Sequence, residues 1–514
     1  MKEEKKYIKT EITSIQNEVS GDYILPDSYP DVKSILTSSA RIYDVKKYFG
    51  ANDGEINGSI AYNIMFSAVN DMGEDIICSV GFTDDFKLNC RYKCPGNIGV
   101  GTHTKLRELN CRTANPRKFS IKATLDTLLY EDVSTSSYPV LSADAPSDAD
   151  MQYKWGEMTV CRCRSAILCE HSFSDNIELD MKLPEIAEIL HCDTALSVRD
   201  DRAADIKDAP AKLGGILTVN LVYKDKDSLM HGVSRDIPFG ITINDDENAM
   251  IGDLDTGTGM IPAVYISAVN VNIGKNGYDE AKVIEFDADY DIDHLIVSSE
   301  TVEYVIDAYS TRYDCECKYE AQGLTTPIAR IKNNFTYTDS RDKSDLGIEN
   351  TALLSACVPT LADVRTEKNG NFVNVCGKLN EKTTLLHDEN RVKGKEITLP
   401  FTYKSNTNLK HDNISMIGST VVTDNRIRCD SERLYTDAEI YLDYMLTVKE
   451  NTNICKSVTV GTEQSKQSDG TMFCIYYPLG DESLWETAKK KKTTLERIVM
   501  LNPGVEAGAP IIIE

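Results

Sequence analysis

Apolar and polar side chains alternate along most of this chain with a period of two. Clear runs lie at 58–66, 118–125, 216–223, 264–273, 371–379 and 440–448. A period of two sends successive side chains to opposite faces, so each run predicts a strand with one face buried. Turn-forming clusters separate the runs: Gly73-Glu74, Asp225-Lys226-Asp227, Lys275-Asn276-Gly277 and Lys368-Asn369-Gly370. Short strands at such intervals predict β-sandwich-like architecture. Helical signals in this part are few; a turn or two is expected after proline at 30–36 and again at 184–190.

The period changes near the C-terminus. An aromatic and β-branched run at 473–477 predicts a strand, and Gly480-Asp481 supplies turn chemistry. Ser483 or Asp481 can cap a helix carrying Leu484, Trp485 and Ala488, with Glu486 near the positive end of its dipole. Lys489, Lys490, Lys491 and Lys492 load the last turn, where cations are favoured. Leu495, Ile498, Val499 and Leu501 form the apolar stripe of a second helix, which Asn502-Pro503-Gly504 stops. A strand at 511–513 closes a two-stranded sheet. The expected core of this unit is Leu484, Trp485, Ala488, Leu495, Ile498, Leu501 and Ile512, with Trp485 fixing that core rather than meeting a ligand. The four lysines are a charged helix end or a docking surface for an acidic partner.

An internal repeat organises the rest. Pro30-Asp31-Val32-Lys33-Ser34-Ile35-Leu36 and Pro184-Glu185-Ile186-Ala187-Glu188-Ile189-Leu190 share one pattern. Each follows an apolar segment (Tyr23-Ile24-Leu25 and Ile177-Glu178-Leu179) and precedes a strand, a polar loop and a Gly-opened strand. A third copy is worn near 351–364, but its downstream half survives at 372–379 and in Ile397-Thr398-Leu399-Pro400-Phe401, which matches Ile237-Pro238-Phe239. Each copy ends in a long hairpin, at 119–130, 264–290 and 426–448. The expected fold class is mainly β: three tandem β-sandwich-like modules at 1–150, 151–335 and 336–465, plus a small C-terminal α+β (βααβ) module at 471–514.

Composition narrows the functions. The 514 residues are 41% hydrophobic, enough for real cores, and carry a net charge of −25. That charge argues against nucleic acid and anionic lipid as partners, and also serves solubility. No stretch approaches 18 apolar residues and Met1-Lys2-Glu3-Glu4-Lys5-Lys6-Tyr7 opens no apolar signal region, so no transmembrane segment is expected and a cytoplasmic location is. In that compartment the fifteen cysteines read as mostly buried thiols. The pairs Cys161/Cys163 and Cys315/Cys317 sit on strand spacing, and Cys90/Cys94 has no second half, so neither zinc nor a disulfide network is expected.

Catalytic signatures are missing. There is no phosphate-binding loop, no His-Glu-x-x-His and no Gly-x-Ser-x-Gly, and the seven histidines are dispersed. Asp287-Ala288-Asp289-Tyr290-Asp291-Ile292-Asp293 suggests a calcium loop, but Ile292 and Ser298 stand where such a loop needs Gly and Glu. The alternation instead predicts a strand with its carboxylates in water. No enzyme activity, cofactor or metal is expected.

Two resemblances add to this reading. Gly480-Asp481 ahead of Leu484-Trp485, and Leu501-Asn502-Pro503 ahead of a final apolar strand, resemble a LysM domain, a βααβ module that binds N-acetylglucosamine polymers or, in some members, proteins. One more residue separates Gly480 from Trp485 than in the commonest spacing, within the loop that family members use for sugar. The resemblance implies ligand or partner contacts at Leu479, Gly480, Asp481, Glu482 and Ser483, and at Asn502, Pro503 and Gly504. Nearly the whole chain resembles the SPOCS-domain spore-coat morphogenesis proteins of clostridia. The carriers are Gly21-Asp22-Tyr23-Ile24-Leu25-Pro26-Asp27 with Pro30-Asp31-Val32, the Pro184-Glu185-Ile186 copy, the segment 397–401 and the LysM-like end. This implies a non-enzymatic scaffold on the mother-cell side of the forespore surface, whose LysM domain recruits the coat's morphogenetic ATPase. The alternative is a cell-wall protein that binds peptidoglycan glycan through the same domain.

Overall fold

The computed structural model of the protein describes residues 12–49, 53–90, 99–132, 140–141, 146–199, 212–242, 259–357, 359–387, 391–411, 413–463, 473–480, 482–505 and 508–513. Strands account for 76% and helices for 5%, so the fold is mainly β, built from several antiparallel sheets. The first sheet has the order β1 (Ile12–Ile24), β6 (Lys118–Asp132), β5 (Gly99–Asn115). It shares a core with a sheet of β2 (Val32–Phe49), β3 (Gly54–Val69) and β4 (Asp75–Cys90).

The same strand order then recurs. β8 (Met151–Glu178), β13 (Val283–Ser310) and β12 (Gly259–Gly274) share a core with β9 (Glu188–Arg199), β10 (Lys212–Lys224) and β11 (Met230–Thr242). β14 (Tyr313–Asp342), β20 (Arg433–Glu463) and β19 (Ile414–Cys429) share a third core with a sheet centred on β17 (Phe372–His387). β17 is flanked by β15 (Thr351–Ala356), β16 (Thr360–Asn369) and β18 (Arg391–Asn408), and the short β7 (Val140–Leu141) joins β20 in parallel.

One hydrogen bond marks the equivalence of the three. The Leu25 amide donates to the Arg117 carbonyl at 2.9 Å, in the turn ahead of β6, and the Leu179 amide to the Lys282 carbonyl at 2.8 Å, ahead of β13. The Lys343 amide makes the third, to the Glu432 carbonyl at 2.8 Å, ahead of β20. The proline-led segments are tied in the same way, Val32 to the Pro116 carbonyl and Ile186 to the Ala281 carbonyl. Those bonds require extended backbone, so the turn or two of helix expected at 30–36 and 184–190 does not form: β2 begins at Val32 and β9 at Glu188. At the third position a buried lysine replaces leucine, its ammonium donating to the Thr351 carbonyl at 2.7 Å after a four-residue helix, α1 (Lys343–Leu346). That substitution hides the start of the third copy from sequence comparison.

A cross-strand glycine–phenylalanine pair also recurs. The register sets Gly58 opposite Phe86, Gly215 opposite Phe239 and Gly377 opposite Phe401. Each described ring lies over its glycine; a Cβ would fall 2.6 Å from the Phe86 ring at Gly58 and 2.6 Å from the Phe401 ring at Gly377. A ring laid over a strand glycine restores the contact surface that the missing side chain removes.

The run of aspartates behaves as its alternation requires. Asp287 and Asp289 are exposed on β13, while Ala288, Tyr290 and Ile292 are buried in the second core; the Asp293 side chain lies outside the described residues. The described cysteines are free thiols, and all but Cys474 are at least half-buried. Burial pushes Cys111 up to about 11 and Cys192 up to about 12. Cys94 and the Cys163 side chain lie outside the described residues.

Because the Phe86 ring is fully packed, Gly58→Ala should lower stability to chemical denaturation by about 1–3 kcal/mol. At Gly81 a Cβ meets its nearest neighbour, the Tyr62 carbonyl oxygen, at an ordinary 3.7 Å, so Gly81→Ala should change stability by no more than about 0.5 kcal/mol. Equal effects at the two positions would show that the ring is not held over Gly58.

Candidate functional site

The C-terminal segment forms a strand, two helices and a strand. β21 (Cys474–Tyr476) pairs antiparallel with β22 (Ile511–Ile513), and α2 (Leu484–Lys491) and α3 (Leu495–Leu501) lie between them in sequence. Ser483 caps α2 in a capping box: its hydroxyl accepts from the Glu486 amide, and the Glu486 carboxylate accepts from the Ser483 amide at 2.7 Å. Thr494 caps α3 by accepting from the Arg497 amide. The interior holds Ala488, Ile498, Ile511 and Ile513, with Leu484, Trp485, Tyr476 and Val505 packed around them; Leu495 and Leu501 are half-buried.

Ile512, expected in this core, points outward instead and is 42% exposed. Ile511 and Ile513 take the inner face of a three-residue strand, so alternation leaves the middle residue no other side.

The interior is completed from outside the segment. Tyr309, near the end of β13, is buried in the same cluster. Its hydroxyl donates to the Thr493 carbonyl at 2.7 Å, and its ring meets the Trp485 ring at a 72° interplanar angle with centroids 4.9 Å apart. Two residues earlier, the Asp307 carboxylate accepts from Trp485 Nε1 at 2.9 Å, from Lys489 Nζ at 2.7 and 2.8 Å, and from the Tyr319 hydroxyl at 2.8 Å. Lys492 reaches Asp314 on β14 at 2.8 Å. Trp485 therefore lies at the seam between the helices and β13, neither wholly in the small core nor on the free surface.

Electrostatics favours this seam. Burial by itself raises the Asp307 carboxyl, but the bonds from Lys489, Trp485 and Tyr319 outweigh it and hold the group below the usual carboxylate range. The basic run is thus largely committed within the molecule. Lys489 and Lys492 clamp β13 and β14, Lys490 donates to the Tyr476 hydroxyl at 2.8 Å, and Lys491 sits 4.4 Å from the Tyr476 ring centroid. The acidic surface that this run meets belongs to its own chain.

The expected contact residues divide into two groups. Leu479, Gly480, Pro503 and Gly504 are exposed, and a Cβ on Gly508 would lie 3.4 Å from the Gly480 carbonyl, so the two loops adjoin. Glu482 accepts from the Tyr476 hydroxyl at 2.9 Å and from the Leu479 amide at 3.1 Å, which pins the first loop. Asn502 is committed to backbone: its amide donates to the Ile498 and Ile512 carbonyls, and its oxygen accepts from the Ile512 amide at 2.7 Å. Ser483 is occupied by capping, and Asp481 lies outside the described residues. Asp307, Tyr309 and Asp314 escape a sequence reading, because nothing near them in sequence signals partners some 180 residues away.

Several large apolar side chains of the C-terminal unit are exposed. Phe473, Ile475 and Tyr477 follow the outward alternation of β21, Ile475 pairs with Ile512, and Leu479 extends the row. Ile475, Tyr477 and Leu479 are 64%, 68% and 75% exposed. Among the described residues no group of three or more His, Cys, Asp or Glu is placed to hold a metal ion.

Asp307→Ala removes the shared acceptor of Trp485, Lys489 and Tyr319. Hydrogen exchange across α2 and α3 should speed up by roughly tenfold or more, matching about 1–3 kcal/mol of lost docking. Folding depresses the Asp307 pKa, so its contribution is present above the unfolded value of about 3.9 and is lost as pH falls below it. Protection in the helices should hold from pH 8 to 5 and drop below about pH 4. Unchanged exchange in the variant would show that the clamp does not hold the helices.

No protein-family model, curated protein or solved structure matches this chain.

Proposed function

We propose that this chain is a non-enzymatic scaffold of endospore coat assembly. In this reading three tandem β-sandwich-like modules present a LysM-like C-terminal module, which recruits a coat morphogenetic ATPase to the mother-cell side of the forespore surface. The observation that carries it is the division of the C-terminal unit into two sides. One side is fastened to β13 and β14 through Asp307, Tyr309 and Asp314, and the other displays Phe473, Ile475, Tyr477, Leu479 and Ile512 to solvent. A set of exposed large apolar side chains suits a protein interface, where aromatic and aliphatic anchors supply most of the binding energy.

The polar groups of the two loops support protein over glycan. Recognition of a sugar polymer needs free hydrogen-bonding groups, whereas Glu482 and Asn502 are engaged by their own backbone. The assignment to spore-coat assembly rests on the repeat and on the C-terminal motifs. No helix among the described residues is long and apolar enough to cross a membrane. Peptidoglycan binding is the second reading, favoured by the exposed Phe473 and Tyr477 rings, since aromatic faces stack on sugars.

A binding assay with the full chain separates the two. The protein should be retained by the coat ATPase and not by purified peptidoglycan. The pair Ile475→Ser and Leu479→Ser should weaken that retention at least tenfold, since two exposed anchors of about 1 kcal/mol or more each are removed. Retention on peptidoglycan without binding to the ATPase overturns the scaffold reading.

A further inference from the structure

The three copies do not stand in a row. Leu36 and Leu190 close the two proline-led segments of the repeat, and Leu354 takes their place in β15, at the start of the third copy. All three leucines are buried in one cluster with Met65 of β3, Ile77 of β4, Val222 of β10 and Met230 of β11, and Val392 of β18 packs against it. Equivalent residues of each copy thus converge on one point, as they would around a threefold axis.

The seams between copies repeat as well. β4 lies against β9, β11 against β15 and β18 against β2, so the first copy meets the second, the second meets the third and the third meets the first. In Met230-His231-Gly232 and Val392-Lys393-Gly394 the glycine approaches the backbone of the next copy's leucine. A Cβ on Gly232 would collide with the Leu354 carbonyl, and one on Gly394 with the Leu36 carbonyl. Glycine permits that closeness because it carries no side chain. Ile77-Cys78-Ser79 places a small serine at the remaining seam, its hydroxyl 3.2 Å from His191 Nδ1. A polar bond recurs beside it. Asn63 Nδ2 donates to the Cys192 carbonyl at 3.1 Å, and Lys382 Nζ donates to the Ser38 carbonyl at 3.0 Å and to its hydroxyl at 3.2 Å.

The seam between the third and first copies differs in one respect. The chain runs from the first copy into the second and from the second into the third, but it joins the third to the first nowhere. Non-covalent contact alone holds them. A buried hydrogen bond between Thr37 Oγ1 and Cys357 Sγ at 3.1 Å and the Arg107–Asp363 pair at 2.9 Å add to the Lys382 bonds. In an open array of repeats each unit contacts only its neighbours in sequence. Here the first and third copies are neighbours too, and their shared chain gives the seam a high effective concentration.

We propose that the contact of β18 with β2 is a latch that closes the three copies into a ring, so that the first and third stabilise each other directly and all three unfold as one unit. The latch lies apart from the C-terminal unit and does not depend on the function assigned to that unit.

Native-state hydrogen exchange of the full chain in rising denaturant, followed on the central strands β3, β10 and β17, tests this. The three strands should lose protection in one shared transition. Lys382→Met keeps the apolar stem but removes the bonds to Ser38. It should speed exchange in β2 and β3 of the first copy roughly tenfold, the loss expected for a charge-assisted hydrogen bond. Gly394→Val, which forces β18 off β2, should split the shared transition, with the first copy opening at lower denaturant. Gly81→Ala adds a methyl on β4 without a collision and should leave exchange in the first copy unchanged. The proposal is overturned if the first and third copies of the unaltered protein lose protection in separate transitions. It is also overturned if neither Lys382→Met nor Gly394→Val alters exchange in the first copy, or if Gly81→Ala alters it as much as they do.

Discussion

The arrangement of the C-terminal half depends on β13 running on past its own core. Its first half supplies Ile284, Phe286, Ala288, Tyr290 and Ile292 to the second core. Its continuation packs Val302 against Leu324 and Ile454, and Val305 and Ala308 against Cys455 and Val458, so that the long strands β14 and β20 stack on it. Its last residues, Asp307 and Tyr309, then take hold of the helical segment. A strand that serves several packing partners in turn cannot keep strict alternation everywhere. Leu295, Ile296 and Val297 are consecutive and all buried, because sheets cover both faces there.

Charge follows the same logic. A chain with a net charge of −25 places a cluster of lysines beside its own carboxylates. Asp307 is partly shielded from solvent, so Lys489 and Trp485 are worth more there than on an open surface. Fastening one side of the small unit leaves the other side, with its apolar row, to face outward.

Much of the strand content was legible because alternation is a local property. The hairpins ending at Tyr130, Tyr290 and Val448, and a helix cap from Ser483 or Asp481 of which the structure uses Ser483, follow from short-range chemistry. What failed also has local causes. Proline followed by an apolar pair suggested helix at 30–36, but the amides there are claimed by the turn carbonyls ahead of β6. The third copy looked worn because Lys343 occupies the place that leucine holds in the other two. Ile512 is expected in the core as part of the final apolar strand, although its register places it outside.

The sequence by itself determined the mainly β class, the threefold repeat of its motifs and the short helices with their caps, since each rests on contacts within a few residues or on a fixed period. The tertiary structure decided which charges are spent and which remain. Whether Lys489 is a docking residue or a clamp depends on strands far away in the chain. Coulomb attraction and burial are set by distance in space, and alternation along one strand carries no record of what lies across from it.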